Sequence, residues 1–333
     1  MTDFQDLPDL AAERLGGAVL LANDEFFAPK EGLLKPGAPE WHAGEYTERG
    51  KWMDGWETRR HSTSFDWCII RLGAPGIVRG VVVDTSFFTG NYPEHCSIEA
   101  CTVPGTPSPD QLASTAEWTE ILPKSVLRGD ARNEFPVAHE GRVTHLRLNI
   151  YPDGGVARLR VHGEPIPQWT KFARQGGEVD LAALENGGWV MACSDMFYGH
   201  RQNLILPGPS LFMGDGWETR RRRGPGHDWS LLRLAAPSAI HRVEIDTDHF
   251  KGNPPEHCWM EGIHLPGATA EELADASAPW LTLLPESRLQ PHARFRFEDL
   301  DPIGPVSHVR LNIAPDGGIA RLRVFGKLPD APR

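Results

Sequence analysis

The chain has 333 residues, room for two domains of ordinary size, each large enough to bury a core without a disulfide or metal staple. Its 34 Lys and Arg against 45 Asp and Glu leave a formal charge of −11, which argues against nonspecific nucleic-acid or anionic-membrane partners, since both need a basic surface. Five cysteines without a CxxC pair, an acidic opening MTDFQDLPDL without an apolar h-region, and no apolar run near the roughly 18 residues of a membrane span point to a reducing, cytoplasmic setting.

The first readable element is Asp9-Leu10-Ala11-Ala12 with Gly16-Gly17 after it, an Asp N-cap, a short helical turn and a glycine stop. Trp67-Cys68-Ile69-Ile70 and Val81-Val82-Val83 read as strands buried on both faces. Ser97 to Val103 partly alternates. Thr144 to Ile150 alternates cleanly, with Leu146, Leu148 and Ile150 on one side and His145, Arg147 and Asn149 on the other. Pro152-Asp153-Gly154-Gly155 reads as a hairpin-type turn into another alternating run, where Ala157, Leu159 and Val161 oppose Arg158, Arg160 and His162. Gly163 to Gly177, with Pro165 and Pro167, reads as a linker. Glycine and proline, 34 and 29 residues, cut the chain into short strands with rare helices. That pattern means a β-sandwich or barrel, and about eight strands per copy suits a jelly roll.

There are two copies. Asp54-Gly55-Trp56-Glu57-Thr58-Arg59-Arg60 recurs as Asp215-Gly216-Trp217-Glu218-Thr219-Arg220-Arg221, and Pro93-Glu94-His95-Cys96 recurs as Pro255-Glu256-His257-Cys258. His145 to Gly163 recurs as His308 to Gly326 with 15 of 19 letters the same. The offset drifts slowly (215−54 = 161, 257−95 = 162, 308−145 = 163). Solenoid periods run at roughly 20–50 residues, so this is a duplicated domain. The expected domains are residues 1–164 and 176–333. Upstream, Asp24 matches Asp195, Phe26 matches Phe197, and Pro36-Gly37 matches Pro207-Gly208 at a larger offset (207−36 = 171). Copy one therefore carries ten extra residues (171−161) between Gly37 and Asp54, around Trp41 to Tyr46.

Three clusters could carry chemistry. DGWETRR packs Asp54, Glu57, Arg59 and Arg60 into one stretch. If it is extended, Glu57 and Arg59 share a face. It reads as a pocket wall, with arginine clamping a carboxylate and glutamate as acid or base, or as a structural ion network at a strand entry. Asp84, Asn91, Glu94 and His95, repeated as Asp246, Asn253, Glu256 and His257, sit around a loop at the end of a sandwich, where ligands are usually held. They suit acid–base work, or are satisfied by neighbours at a strand start. As a metal shell they fit no standard zinc spacing, and the reading carries no cofactor and no resident metal; a divalent ion is its weaker alternative. Arg158 and Arg160, repeated as Arg321 and Arg323, offer an anion-binding face or a solvated one neutralised by nearby carboxylates. No GxSxG elbow, Walker or dinucleotide glycine pattern is present.

DGWETRR, the Asp66-Trp67 and Asp228-Trp229 steps, VDT with FxGN over Val83 to Asn91, and RLNIxPDGGxARLRVxG together resemble the allantoicase (allantoate amidinohydrolase) family, in order and over nearly the whole chain. The resemblance implies an all-β fold, a tandem duplication of two galactose-binding-like jelly-roll β-sandwich domains. It also implies hydrolysis of allantoate to (S)-ureidoglycolate and urea in allantoin and purine degradation, by a homo-oligomer. On it the expected catalytic groups are Glu57, Asp84, Glu94 and His95, with Glu218, Asp246, Glu256 and His257 in copy two. The expected substrate-binding groups are Arg59, Arg60, Asn91 and Arg158, with Arg220, Arg221, Asn253 and Arg321. Catalysis in one copy, in both, or between them is compatible with the sequence. The competing readings are a noncatalytic tandem carbohydrate- or ligand-binding jelly roll, for which Trp41, Trp52 and Trp169 would be exposed aromatics, and a metal-dependent hydrolase of another ureido compound.

Overall fold

The computed structural model describes residues 3–60, 65–166 and 178–327; Pro167, Trp169 and the rest of the linker beyond Ile166 lie outside the described residues. The chain divides into two compact units, Met1–Ile166 and Pro167–Arg333.

Unit 1 holds β1 (Ala18–Ala22), β2 (Tyr46–Thr47), β3 (Gly50–Lys51), β4 (Trp56–Glu57), β5 (Asp66–Asp84), β6 (His95–Cys101), α1 (Pro109–Thr115), β7 (Thr119–Val126), β8 (Arg132–Pro136), β9 (Val143–Tyr151), β10 (Gly155–Val156) and β11 (Arg158–Pro165). One layer runs β1-β5-β9-β6-β7, and the far half of β5 forms the other layer with β8 and β11. The sequence reads as two separate buried strands here, but β5 is one strand serving both layers. Its pairing with β9 shifts register between Arg71 and Gly76, where Gly73, Pro75 and Gly76 let the strand change direction.

The strand alternation is right in phase, and both sides of β9 carry buried residues. Leu146, Leu148 and Ile150 of β9 and Leu159 and Val161 of β11 are fully buried. His145 and Asn149, on the polar side of β9, are buried as well: His145 Nδ1 pairs with Thr144 Oγ1, Asn149 Nδ2 donates to Ser97 Oγ and Glu99 Oε2, and Ile69, Cys101 and Leu112 form a second buried cluster. Leu112 belongs to α1, whose start is set by Ser108 and Gln111 in a reciprocal capping box with proline next to the cap.

Three local expectations change. Asp9 caps no helix: its Oδ1 accepts from the Ala11 and Val161 N–H groups at 3.1 and 2.9 Å, and the turn that follows is a 3-10 turn, Glu13–Leu15, closed by Gly16 at φ 91°. Pro152 to Gly155 closes no hairpin, since β9 and β11 pair with different parts of β5 and the segment crosses between layers. Gly163 to Pro165 is strand, paired with Gly76 to Val78.

Unit 2 repeats the design with β12 (Glu178–Asp180), β13 (Trp189–Cys193), β14 (Trp217–Glu218), β15 (Asp228–Asp246), β16 (His257–Ile263), α2 (Ala270–Ala274), β17 (Leu281–Arg288), β18 (Arg294–Phe297), β19 (Pro305–Ala314), β20 (Gly318–Ile319) and β21 (Arg321–Lys327). Like β5, β15 has 19 residues and joins both layers. The fold is a tandem of jelly-roll sandwiches.

Candidate active site

DGWE is placed by its own backbone. β4 pairs with β10 in the register Glu57–Gly155 and Trp56–Val156, and on the other side Glu57 exchanges hydrogen bonds with Ala28. The indole of Trp56, fully buried, donates to the Asp24 carbonyl at 2.8 Å. Thr58 Oγ1 accepts the Gly154 N–H at 3.1 Å and fixes the PDGG segment beside it. Gly154 stands at φ 137°, where a Cβ would come within 2.7 Å of the Pro93 nitrogen, so PDGG and the FxGN loop approach as only glycine allows. The Gly155 N–H then donates to the Asn91 carbonyl at 2.8 Å.

These contacts aim two side chains at each other. Asn91 Nδ2 donates to Glu57 Oε1 at 2.7 Å. Glu57 is only 6% exposed, and burial pushes its carboxyl above the ordinary glutamate range, against the Asn91 hydrogen bond and the positive charge of Arg60. Arg60 is about half exposed and is tethered by Nη1 to Asp153 Oδ1 at 3.0 Å. In unit 2 Asn253 Nδ2 donates to Glu218 Oε1, and burial again raises the carboxyl.

The other expected residues fall elsewhere. Glu57 and Arg59 share no face or partner: β4 ends at Glu57, and Arg59 turns to Asp24 (Nε–Oδ2 3.1 Å) and to the Phe26 ring. Arg220 does the same with Asp195 and Phe197, while Arg221 is exposed. Arg158 is consumed by the fold. Nη1 donates to the carbonyls of Gly32, Asp54 and Ala157, and Nη2 to the Asp54 carboxylate. Arg321 does likewise with Asp215. Asp84 accepts the Ser86 N–H at 2.8 Å and starts the FxGN loop; Asp246 accepts the Asp248 N–H at 2.7 Å and pairs with Arg294. Asp84, Arg132, Arg158 and Arg160 line a cleft of about 440 Å³, matched in unit 2 around Asp246 and Arg321 by one of about 430 Å³; neither is lined by Glu57, Asn91 or their counterparts.

Glu94 and Glu256 are exposed. His95 and His257 open β6 and β16 half-buried, and His257 pairs with Glu286 at 3.2 Å. Among the described residues neither Glu94 nor His95 bonds to Glu57, Asn91 or Arg60, and no group of three or more His, Cys, Asp or Glu converges as a metal shell. The residues without an expected role are Asp24, Phe26, Thr58 and Asp153. All recur in copy two as Asp195, Phe197, Thr219 and Asp316, and that identity was the available signal.

Two sandwiches of one design, each presenting a buried strand glutamate held by an asparagine from a neighbouring loop, define a duplicated jelly-roll protein with a candidate acid–base site in each half. The family model for the allantoicase repeat matches residues 8–166 and 179–329. "Probable allantoicase 1" of Burkholderia mallei is 48% identical over 96% of this chain and 94% of its own length. "Allantoicase" of Dictyostelium discoideum is 47% identical over 97% and 88%. The solved allantoicase of Saccharomyces cerevisiae superposes with a TM-score of 0.78 at 36% identity, covering 96% of this chain and 93% of that one. The chain belongs to the allantoicase family.

Proposed function

We propose that the chain hydrolyses allantoate to ureidoglycolate and urea, with Glu57 as the proton-handling group, Asn91 as its orienting partner and Arg60 as the clamp for the substrate carboxylate. The observation that carries this reading is the buried Glu57–Asn91 pair with a half-exposed cation beside it. Family membership supplies the substrate. Allantoate bears a carboxylate and two ureido groups on one carbon. In hydrolysis a C–N bond to that carbon breaks and a C–O bond from water forms. Glu57 gives a proton to the departing ureido nitrogen, and the attacking water returns its surplus proton to the carboxylate. A raised pKa keeps more of Glu57 protonated near neutrality, which suits the first transfer. In this scheme Asn91 Oδ1 takes a ureido N–H while Nδ2 holds Glu57. Arg60, tethered by Asp153, presents a planar donor fork to a carboxylate.

The chain is further proposed to act as a homo-oligomer in a reducing, cytoplasmic compartment. Supporting this are the consecutive exposed apolar side chains Leu211, Phe212 and Met213 and five unpaired cysteines, four of them buried. Among the described residues no helix is long and apolar enough to cross a membrane. The test is urea release from allantoate by the purified protein. Wild type is expected to release one urea per allantoate, and Glu57→Gln to lower turnover at the unit 1 site about 10²–10⁴-fold. Absence of urea from the wild type would overturn the assignment.

A further inference from the structure

The two units differ beside their glutamates. Glu40 N–H donates to Asp54 Oδ2 at 3.0 Å as Leu211 N–H donates to Asp215 Oδ2 at 2.9 Å, so Glu40 and Leu211 are equivalent and Trp41 stands where Phe212 stands. Counting back from the shared aspartate, Trp52 stands where Met213 stands. The ten extra residues are therefore 42–51, inserted between two positions that are neighbours in unit 2 (212−41 = 171, 213−52 = 161). This insert contains the β2–β3 hairpin, paired Tyr46–Lys51 and Thr47–Gly50.

The hairpin folds onto the residues that hold Glu57. Arg49 Nη1 donates to the Phe26 carbonyl at 2.9 Å, and its guanidinium sits 5.1 Å from the Phe26 ring centroid. Gly50 lies against the Phe27 ring, and Lys51 Nζ stands 3.7 Å over Trp41, which stacks on Phe87 of the FxGN loop. The Phe27 and Ala28 N–H groups donate to the Glu57 carbonyl at 3.1 and 3.2 Å, so one layer of side chains separates hairpin from glutamate. In unit 2 nothing inserted covers this layer: Phe197 and Tyr198 are 60% and 62% exposed, against half-buried Phe26 and Phe27.

The cation differs too. In unit 1 Arg60 is held by Asp153 within charge range of Glu57. In unit 2 the backbone N–H of Arg222 donates to the equivalent Asp316 at 2.8 Å, and Arg222 itself turns to Asp228. Arg221, the counterpart of Arg60, is exposed like Arg60 but among the described residues makes no ion pair with Asp316, and the Glu218 carboxyl is raised by burial against the Asn253 hydrogen bond. Unit 1 offers a carboxylate-bearing substrate a glutamate with a tethered cation in charge range and a hairpin packed on the segment behind it; among the described residues of unit 2 the glutamate has no tethered counterpart of Arg60 and no inserted hairpin.

We infer that turnover belongs to unit 1, and that hairpin 42–51 is the positioning element that makes the Glu57 site competent, through Arg49 on Phe26 and Gly50 on Phe27. The inference rests on the proposed role of Glu57. Ordering ten residues costs conformational entropy that unit 2 shows the fold does not require, so its compensation is sought in function.

The full chain tests it through Glu57→Gln. Equal units would leave about half of wild-type urea release, and that result would overturn the inference. Turnover in unit 1 alone leaves less than a tenth. Undiminished release would instead sink the Glu57 reading itself. A second variant joins Trp41 directly to Trp52, as Phe212 joins Met213, and so uses a connection the fold already accommodates. The expected outcome is an unchanged melting temperature with kcat/KM for allantoate down at least tenfold. Wild-type kcat/KM in that variant, beside an inactive Glu57→Gln, would reject the hairpin's role while keeping the glutamate's. Arg49→Ala should raise KM with the melting temperature held, and Arg49→Lys should recover most of the loss; equal kinetics for the two would count against the Phe26 contact.

Discussion

Asn91 reaches Glu57 across 34 positions of sequence, Nδ2 to Oε1 at 2.7 Å, and the same two residue types meet in unit 2 as Asn253 and Glu218. The pair exists because PDGG is wedged between their loops and ties both backbones, through Gly155 to Asn91 and through Thr58 to Gly154.

Asn91→Ala removes a donor that favours the Glu57 carboxylate, so the carboxyl should rise further. The limb of the pH–rate profile that reports its protonation should move to higher pH, with kcat lower by about 10–100-fold. A profile unchanged in position would remove Asn91 from the acid–base pair. The stability sign is also set. With its folded pKa raised, Glu57 contributes most below its unfolded pKa, and that contribution is lost as pH rises through the folded value. Glu57→Gln should therefore gain melting temperature relative to wild type at about pH 8 more than at about pH 4.

Asp54 and Arg158 form a buried pair whose side chains are 4% and 3% exposed. Burial raises the Asp54 carboxyl, but Arg158, Lys35 and the Glu40 N–H together bring it below the ordinary aspartate range. Its stabilisation is present above the unfolded pKa and lost as pH falls through the folded one. Asp54→Ala strands a guanidinium and should cost about 3–5 kcal/mol in chemical denaturation. A cost below about 1 kcal/mol would show that the carbonyls of Gly32 and Ala157 suffice for Arg158.

His308 is 1% exposed, its Nδ1 lies 2.9 Å from Ser307 Oγ, and burial, with Arg233 and His264 adding to it, pushes its pKa from 6.5 to about 4. The neutral ring is favoured in the fold. Its contribution is full above the unfolded value and falls away between about pH 6.5 and 4, on the order of 3 kcal/mol in total. His308→Gln should flatten the pH dependence of unfolding in that window. A slope equal to wild type would locate the acid sensitivity elsewhere.

Chelation tests the donor set. Asp84 is engaged by the Ser86 N–H, Glu94 is exposed, and neither joins His95 in a shell. Urea release is expected to be unchanged after EDTA dialysis. Loss on dialysis with recovery on adding a divalent ion would establish a metal requirement.

Legibility followed the range of the interactions. The apolar face of β9 was readable because alternation is local, and the identity of the copies marked Glu57, Asn91, Asp24 and Asp153 before any contact was known. The burial of His145 and Asn149 was not readable, because it depends on neighbours far away in the chain, such as Ser97 and Glu99, which accept from Asn149. Arg158 and Arg59 looked as suited to a substrate carboxylate as Arg60 did. Only their partners separate them, since Asp54 and the carbonyls saturate Arg158, Asp24 and Phe26 hold Arg59, and Asp153 leaves Arg60 half exposed beside Glu57.

The sequence by itself determined the duplication, the all-β character, the family and the residue types at the site, because repeats, periodicity and motifs are written in the order of letters. Tertiary structure decided which cation faces the glutamate, that β5 spans both layers, and that residues 42–51 cover Phe26 and Phe27 in one unit only. Those are outcomes of burial and long-range pairing. A guanidinium's role depends on which acceptors reach it first, and that is a property of three-dimensional neighbours rather than of sequence spacing.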